Sequence, residues 1–141
     1  MDLTTGLEYV RSRRNGVLIT LKGDGRPQSS NITYVVGDDG LIRVSVTDGR
    51  AKTRNMRSDP RVSLHVSADD FWSYVVVEGD AELAPMASDP NDATVDELVD
   101  YYRTMQGEHP DWDDYRAAMV SDERLVLRIH PTRAYGMPGP G

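Results

Sequence analysis

A basic segment between residues 50 and 61 carries the side chains with the clearest chemical potential. It contains one acid and five of the 16 basic residues of the chain, namely Arg50, Lys52, Arg54, Arg57 and Arg61. Helical spacing would align its arginines on one face, directly after a Thr47-Asp48-Gly49 turn. Positive charges oppose the dipole at a helix start unless an anion binds there. We therefore expect Arg50, Lys52 and the Thr53 hydroxyl to bind a phosphate with the first-turn N–H groups; the alternative is a solvated basic helix.

Polar side chains occupy a predicted strand over residues 28–36. Gln28, Ser30 and Asn31 offer amide and hydroxyl groups there, and such groups need hydrogen-bond partners when they are buried. The N–H and carbonyl edges of a heteroaromatic ring would supply those partners. The alternative is an exposed sheet face that needs no ligand.

Aromatic residues cluster where a later strand begins. Trp72 and Tyr74 could stack on a planar ligand or contact its edge, with Ser73 as a hydrogen-bond donor between them. The same residues could instead fill the core or a dimer interface, and the sequence leaves both interpretations open.

Composition excludes several classes of function. The formal net charge is −7, which argues against general binding of nucleic acid or of an anionic membrane. The chain has no cysteine, so disulfides, thiolate metal sites and cysteine nucleophiles are excluded. No apolar run approaches the roughly 18 residues of a membrane span, and the N-terminus is too polar for a signal peptide. We expect a cytoplasmic protein.

Conventional catalytic motifs are also missing. The three histidines lack metal-binding spacing, so we predict no metal site. Neither a nucleophile elbow nor a phosphate-binding P-loop motif occurs, and we name no catalytic residue. This pattern favours chemistry that is carried by a bound cofactor acting on a small molecule.

Turn signals divide the rest of the chain into short elements. Alternating or β-branched runs predict strands over residues 16–22, 28–36, 41–47, 61–67, 72–83 and 124–130, with a bulge at Gly79. Helical spacing predicts helices near both ends and after Gly49, with capping boxes at Thr5–Glu8 and Thr94–Glu97, and a Pro/Gly-rich tail follows the last strand. The sequence therefore predicts one mainly β domain over residues 1–141, an antiparallel barrel of about six strands with peripheral helices.

The order and spacing of these motifs resemble one family over nearly the whole chain. The motifs are GVLITLKGDGRPQSSNITY at residues 16–34, VSVTDGRAKTRNMRSDPRVSL at 44–64 and DDFWSYVVVEGDAEL at 69–83. The family comprises the flavin/deazaflavin oxidoreductases of the split β-barrel fold, also called pyridoxamine 5′-phosphate oxidase-like. Residues 107–136 are similar to its small, actinobacterial branch that depends on coenzyme F420. The resemblance implies a six-stranded split barrel and a homodimer with two cofactor sites at the subunit interface.

The resemblance also implies roles by position. The phosphate-binding segment is matched by Arg50, Lys52 and Thr53, and the adjoining phosphate and ribityl side by Ser45 and Val46. The strand that lines the cofactor ring is matched by Gln28, Ser30 and Asn31. The segment that approaches from the partner subunit is matched by Trp72, Ser73 and Tyr74.

The activity implied by the resemblance is hydride transfer from reduced coenzyme F420 to a planar conjugated small molecule. A deazaflavin passes hydride in two-electron steps, so the protein needs no nucleophile of its own. Two alternatives remain at this point: an FMN-dependent oxidase or reductase that uses the same site, and a non-catalytic protein that carries or senses F420, FMN or haem.

Overall fold

Alternation of apolar and polar residues along the strands produces one antiparallel sheet in the computed structural model, which describes residues 1–139. In β4, for example, the side chains alternate between buried and half-buried positions along the strand. The strands are β1 (Asn15–Leu21), β2 (Pro27–Thr33), β3 (Val35–Val36), β4 (Ile42–Thr47), β5 (Arg61–Ser67), β6 (Tyr74–Leu83) and β7 (Arg124–Met137). Their order across the sheet is β2-β1-β5-β6-β7-β4-β3.

The connection between β2 and β3 shows that this sheet is curled. These two strands form opposite edges of the sheet, yet Tyr34 alone separates them in the chain. The edges must therefore meet at Tyr34, and the barrel is split between β2 and β4. The predicted mainly β split barrel is confirmed.

Residues 1–139 form seven strands rather than the predicted six, because Tyr34 interrupts the predicted strand over residues 28–36. The Tyr34 side chain is buried and donates its hydroxyl hydrogen bond to the Val10 carbonyl at 2.7 Å. Its N–H donates to the Arg14 carbonyl at 2.9 Å. Residues before Tyr34 pair with β1, and the two residues after it pair with β4.

Two apolar clusters hold the molecule together. The larger lies inside the barrel, where inward residues such as Leu18, Leu64 and Leu127 are fully buried. The smaller lies on the opposite side of β7, where Val126 packs beneath two helices through Leu98 and Tyr115. Strand β7 is therefore buried on both faces near its start, which is typical of near-continuous apolar strands.

The four helices of the described chain have aspartate or Arg50 at the N-cap position, so both predicted capping boxes are wrong. They are α1 (Leu3–Arg11), α2 (Ala51–Ser58), α3 (Ala93–Gln106) and α4 (Trp112–Ser121). Asp2 caps α1 and Asp92 caps α3, each accepting a backbone N–H at 2.8 Å. The Thr94 hydroxyl instead donates to the Pro85 carbonyl.

The predicted tail is wrong, because β7 continues through Pro131 to Met137 and pairs with the whole of β6. The proline lies opposite Gly79, where the register shifts, so its missing N–H falls at an irregularity of the ladder. The predicted bulge at Gly79 is confirmed. A Cβ at Gly79 would lie 2.4 Å from the His130 carbonyl oxygen, so this close approach requires glycine. None of the helices within residues 1–139 is long and apolar enough to cross a membrane.

Candidate functional site

Helix α2 closes one end of the split between β2 and β4. The Asn55 side-chain amide donates to Gln28 Oε1 at 2.6 Å and to Thr20 Oγ1 at 3.1 Å, which fastens α2 to the first two strands. The Thr53 hydroxyl donates to the Thr47 carbonyl at 2.8 Å, which fastens the same helix to the end of β4. The start of α2 is thereby held at the edge of the split.

The start of α2 lacks the negative groups that usually neutralise a helix N-terminus. Arg50 occupies the N-cap position with no side-chain capping bond, and the first turn contains no acid. The N–H groups of Ala51 and Lys52 have no acceptor among residues 1–139. The partial positive charge of the helix end therefore adds to that of the side chains.

The basic segment divides into paired and unpaired members. Arg57 forms an ion pair with Asp48, and Arg61 forms one with Asp59 at 2.7 Å. Arg54 donates to the Gly49 carbonyl. Arg50 and Lys52 have no carboxylate partner within the described part of the chain. Arg54 also lacks a carboxylate partner among residues 1–139, but its guanidinium is directed to the Gly49 carbonyl, so Arg50 and Lys52 are the two whose side chains are free to bind an anion.

A third cation, Arg124, lies beside these two. It is the first residue of β7, and its backbone pairs with Thr47, the last residue of β4. Burial is the main cause that lowers the pKa of the Lys52 ammonium, and the nearby charges of Arg50 and Arg124 lower this pKa further. We call Arg50, Lys52 and Arg124 the cation cluster. Arg124 could not be predicted from local sequence patterns, because strand pairing alone brings it to the start of α2.

The residues predicted to line a ring occupy both faces of β2. Gln28 and Ser30 are half-buried on the side that faces α2 and the barrel, whereas Asn31 is exposed on the other side. Alternate residues of a strand point to opposite faces, so no flat face of β2 presents all three. Asn31 lines an outer groove of about 700 Å³ with Val17 and His65. The free edge of β2 along the split is the place from which both faces can be reached.

Ser45 and Val46 lie on β4, across the split from β2. The Val46 side chain points into the barrel core and is 1% exposed, so any contact with a ligand would use its main chain. Ser45 faces α3, where Tyr101 bridges the split by donating to the Thr33 carbonyl at 3.1 Å. Burial raises the pKa of the Tyr101 hydroxyl, and hydrogen bonds with Thr33 and the Ser45 backbone oppose this change.

Thr53 contributes differently from the prediction. Its side chain is 0% exposed, and its hydroxyl hydrogen is already donated to the Thr47 carbonyl. Its backbone N–H donates to the Arg50 carbonyl at 3.1 Å. We therefore assign Thr53 to holding the start of α2 in place.

The predicted aromatic segment lies far from the cation cluster within one chain. Tyr74 pairs with Met137, the last residue of β7, whereas Arg124 is the first, so roughly 40 Å of extended strand separates the two ends. Trp72 is 79% exposed, and its neighbour Phe71 is 70% exposed and has a positive φ of 72°. Ser73 is held locally and donates its hydroxyl hydrogen to the Pro138 carbonyl at 2.7 Å.

Solved structures share this architecture. Rv2991 from Mycobacterium tuberculosis, a conserved hypothetical protein, is 25% identical with a TM-score of 0.74, over 98% of this chain and 85% of that one. An F420 reductase is 27% identical with a TM-score of 0.62, over 86% of this chain and 89% of that one. A FAD-binding protein from Mesorhizobium loti is 21% identical with a TM-score of 0.68, over 96% of this chain and 92% of that one, and shows the fold alone.

A family model supplies the same classification from the sequence side. The model described as pyridoxamine 5′-phosphate oxidase matches residues 7–137, which is nearly the whole chain. This match spans every strand described above and the complete basic segment. The members of this group bind flavin-type cofactors and are typically oxidoreductases. The chain therefore belongs to the pyridoxamine 5′-phosphate oxidase family of split-barrel proteins.

Proposed function

We propose that this protein is a cytoplasmic oxidoreductase that binds coenzyme F420 and reduces a planar conjugated small molecule. The observation that carries the proposal is the start of α2, where Arg50 and Lys52 lack carboxylate partners beside an uncapped helix end. The similarity to an F420 reductase favours this cofactor over FMN.

The residues of the chain fit the anionic part of such a cofactor. Coenzyme F420 carries a phosphate and an oligoglutamate tail, which are the groups that unpaired cations and free helix N–H groups bind. Arg50 and Lys52 would hold the phosphate with the first-turn N–H groups of Ala51 and Lys52. When bound, the reduced deazaflavin ring supplies a hydride to the acceptor.

The split between β2 and β4 would hold the ring. Gln28 and Ser30 offer polar groups on one side of the split, and the β4 residue Ser45 lies on the other. Asn55 fixes the Gln28 amide through the 2.6 Å bond to Oε1, so the Gln28 amide nitrogen stays available to donate. These groups would orient the ring and hold one of its faces toward an acceptor.

We propose further that the protein acts as a homodimer in which each site uses two chains. Exposed aromatic residues such as Phe71 and Trp72 are typical of interaction surfaces. Trp72–Tyr74 and the cation cluster lie at opposite ends of β7, so we expect a second chain to bring the aromatic segment to a ligand held by the cluster. A two-fold pair of chains could do so, with two equal sites.

Cofactor titration tests the first proposal. The purified protein is titrated with coenzyme F420 and, separately, with FMN while ligand fluorescence is followed. We expect micromolar or tighter binding of F420. Micromolar binding of FMN with none of F420 would replace the proposed cofactor by FMN at the same site.

Turnover assays distinguish an enzyme from a carrier. Reduced F420 is mixed with the protein and a panel of quinones, nitroaromatics and unsaturated ketones, and its reoxidation is followed by absorbance. We expect protein-dependent oxidation with at least one acceptor. Tight F420 binding without oxidation by any acceptor would indicate a carrier or sensor, and haem titration would then complete the comparison.

Mixing two variants that each bind the cofactor weakly tests the shared site. Lys52→Ala and Trp72→Ala are purified separately, then mixed, partly unfolded and refolded together. In a mixed dimer one site receives both wild-type residues, so random pairing restores roughly a quarter of the sites. Sedimentation gives the oligomeric state of each variant. A monomer, or a mixture that binds no better than its components, would contradict the shared site.

A further inference from the structure

Arg124 is a half-buried arginine for which the protein provides no hydrogen-bond partner. Its Nε is buried and unpartnered, and it is the single such side-chain atom found within residues 1–139. None of the ion pairs of the described chain involves Arg124. A buried donor left without an acceptor is costly, so its retention indicates that an acceptor binds there in the working protein.

The position of Arg124 identifies that acceptor as an anion. The Asp48 N–H donates to the Glu123 carbonyl at 2.9 Å, and Thr47 pairs with Arg124, so β7 begins beside the turn that leads into α2. Thr53 holds α2 to this same turn through the Thr47 carbonyl. The backbone of Arg124 therefore lies next to the turn that leads into α2, and the charge of its side chain reaches Lys52 from β7.

We infer that Arg124 is a third ligand of the cofactor phosphate, supplied by β7 opposite Arg50 and Lys52. This inference deepens the proposed function and depends on it for the identity of the cofactor. Arg124 begins the strand that pairs with Thr47, before the turn into α2, and its positive charge contributes to the lowered pKa of Lys52 after burial and Arg50. An anion between them would relieve that repulsion and accept the Nε hydrogen bond.

Two tyrosines of α3 and α4 lie within electrostatic range of Arg124 and do not neutralise it. Its charge acts on both Tyr101 and Tyr115, so the guanidinium lies close to the inner surfaces of these helices. Burial raises the pKa of Tyr115 to about 12, so this hydroxyl stays neutral and does not neutralise Arg124. These tyrosines therefore leave the charge of Arg124 available to an anion.

Variants of Arg124 and pairs of ligands that differ by the phosphate test this inference. Arg124→Gln removes the charge, and Arg124→Lys keeps it. Arg116→Gln serves as the matched control, because Arg116 is also half-buried but forms an ion pair with Asp96 at 2.9 Å. Calorimetry and fluorescence measure binding of coenzyme F420 and its phosphate-free deazaflavin precursor, of FMN and riboflavin, and of inorganic pyrophosphate.

We expect Arg124→Gln to lower the affinity for the phosphate-bearing ligands and for pyrophosphate at least tenfold, and to change the affinity for the phosphate-free ligands little. Arg124→Lys should retain most of the affinity, and Arg116→Gln should match the wild type. Equal losses for both members of a ligand pair would assign Arg124 a structural role and overturn the inference. If the wild type binds a cofactor and Arg124→Gln binds it equally well, the inference about Arg124 is overturned and the proposed function stands. If the wild type binds none of the redox ligands, the proposed function is wrong. Pyrophosphate then tests the inference by itself. The inference is also wrong if the wild type does not bind pyrophosphate, or if Arg124→Gln binds it equally well.

Discussion

Arg124 and Arg128 lie four residues apart on the same face of β7, but in the described part of the chain only Arg128 is paired with a carboxylate. Arg128 donates to Glu97 through Nε at 2.8 Å and through a second guanidinium nitrogen, and Arg43 on β4 donates to the same carboxylate at 2.8 Å. Arg124 has no such partner within residues 1–139. The arginines are paired with a carboxylate where α3 is attached to the barrel, whereas Arg124, where α2 begins, is unpaired within the described residues.

This contrast indicates that the positive charge without a counter-charge is confined to the cation cluster. Arg43 and Arg128 are directly opposite each other on neighbouring strands, an arrangement that is destabilising unless an anion lies between them. Glu97 fills that place from α3, and its hydrogen bond with Arg128 is the main cause that lowers the pKa of the Glu97 carboxyl. The cation cluster poses the same electrostatic problem, and we propose that the cofactor phosphate resolves it.

The largest expected effect comes from removing a cation of the cluster. Lys52→Ala and Arg50→Ala should each weaken binding of the phosphate-bearing cofactor by ten- to a hundredfold, because a charge-assisted contact contributes about 1.5–3 kcal/mol. Titration measures the affinity, and thermal unfolding should show an intact fold. The control is Arg61→Ala, which removes an exposed, ion-paired arginine and should leave affinity unchanged. Unchanged affinity in both cluster variants would reduce the basic segment to ordinary surface.

Removing the anion from the paired region should affect stability instead. Glu97→Gln leaves Arg43 and Arg128 opposite each other without a counter-charge, and we expect a loss of about 2 kcal/mol in the free energy of unfolding. Urea denaturation measures it. Asp96→Asn removes the partner of Arg116, which is more exposed than Glu97, and should lower the free energy of unfolding by about 0.5 kcal/mol or less. Loss of cofactor affinity in Glu97→Gln at unchanged stability would contradict the division between the two regions.

Acid should weaken the paired region in a defined pH window. The folded-state pKa of Glu97 lies below its ordinary value of 4.5, so its contribution is complete above pH 4.5 and is lost as pH falls through the lowered pKa. Hydrogen bonds from Arg43 lower the pKa of Asp39 to about 2, so Asp39 loses its contribution between pH 3.8 and 2. The free energy of unfolding, measured from pH 6 to pH 2, should decline less in Glu97→Gln than in the wild type. Parallel profiles would count against this ion-pair network.

The smallest effect is on the alkaline side of cofactor binding. Because burial lowers the pKa of Lys52, its positive charge is lost at a lower pH than that of an ordinary lysine. Affinity for the phosphate-bearing ligand should fall several-fold as pH rises through this pKa, and Lys52→Arg should remove the decline. The phosphate-free ligand, titrated in parallel, reports any titration of the ring. The same decline in Lys52→Arg would assign it to another group.

Much of the fold could be predicted from local patterns because each strand carries its own alternation. The turns at residues 22–26 and 37–41, the helix after Gly49 and the bulge at Gly79 all depend on residues adjacent in the chain. The predictions at Tyr34 and Pro131 were wrong because both residues depend on contacts with distant parts of the chain. Tyr34 interrupts a predicted strand because its side chain binds α1, and Pro131 lies within β7 because Gly79 on β6 accommodates it.

The residue types of the basic segment, set in a chain of net charge −7, were enough to indicate an anion site near residues 50–53. Which cations remain available depends on folding, because ion pairs form between residues that the sheet and helices bring together. Arg61 pairs with Asp59 only two residues away, but folding pairs Arg57 with Asp48, buries Thr53, and brings Arg124 to Lys52 from a distant part of the chain. Local sequence determines which charges exist, and packing determines which of them are left without a partner.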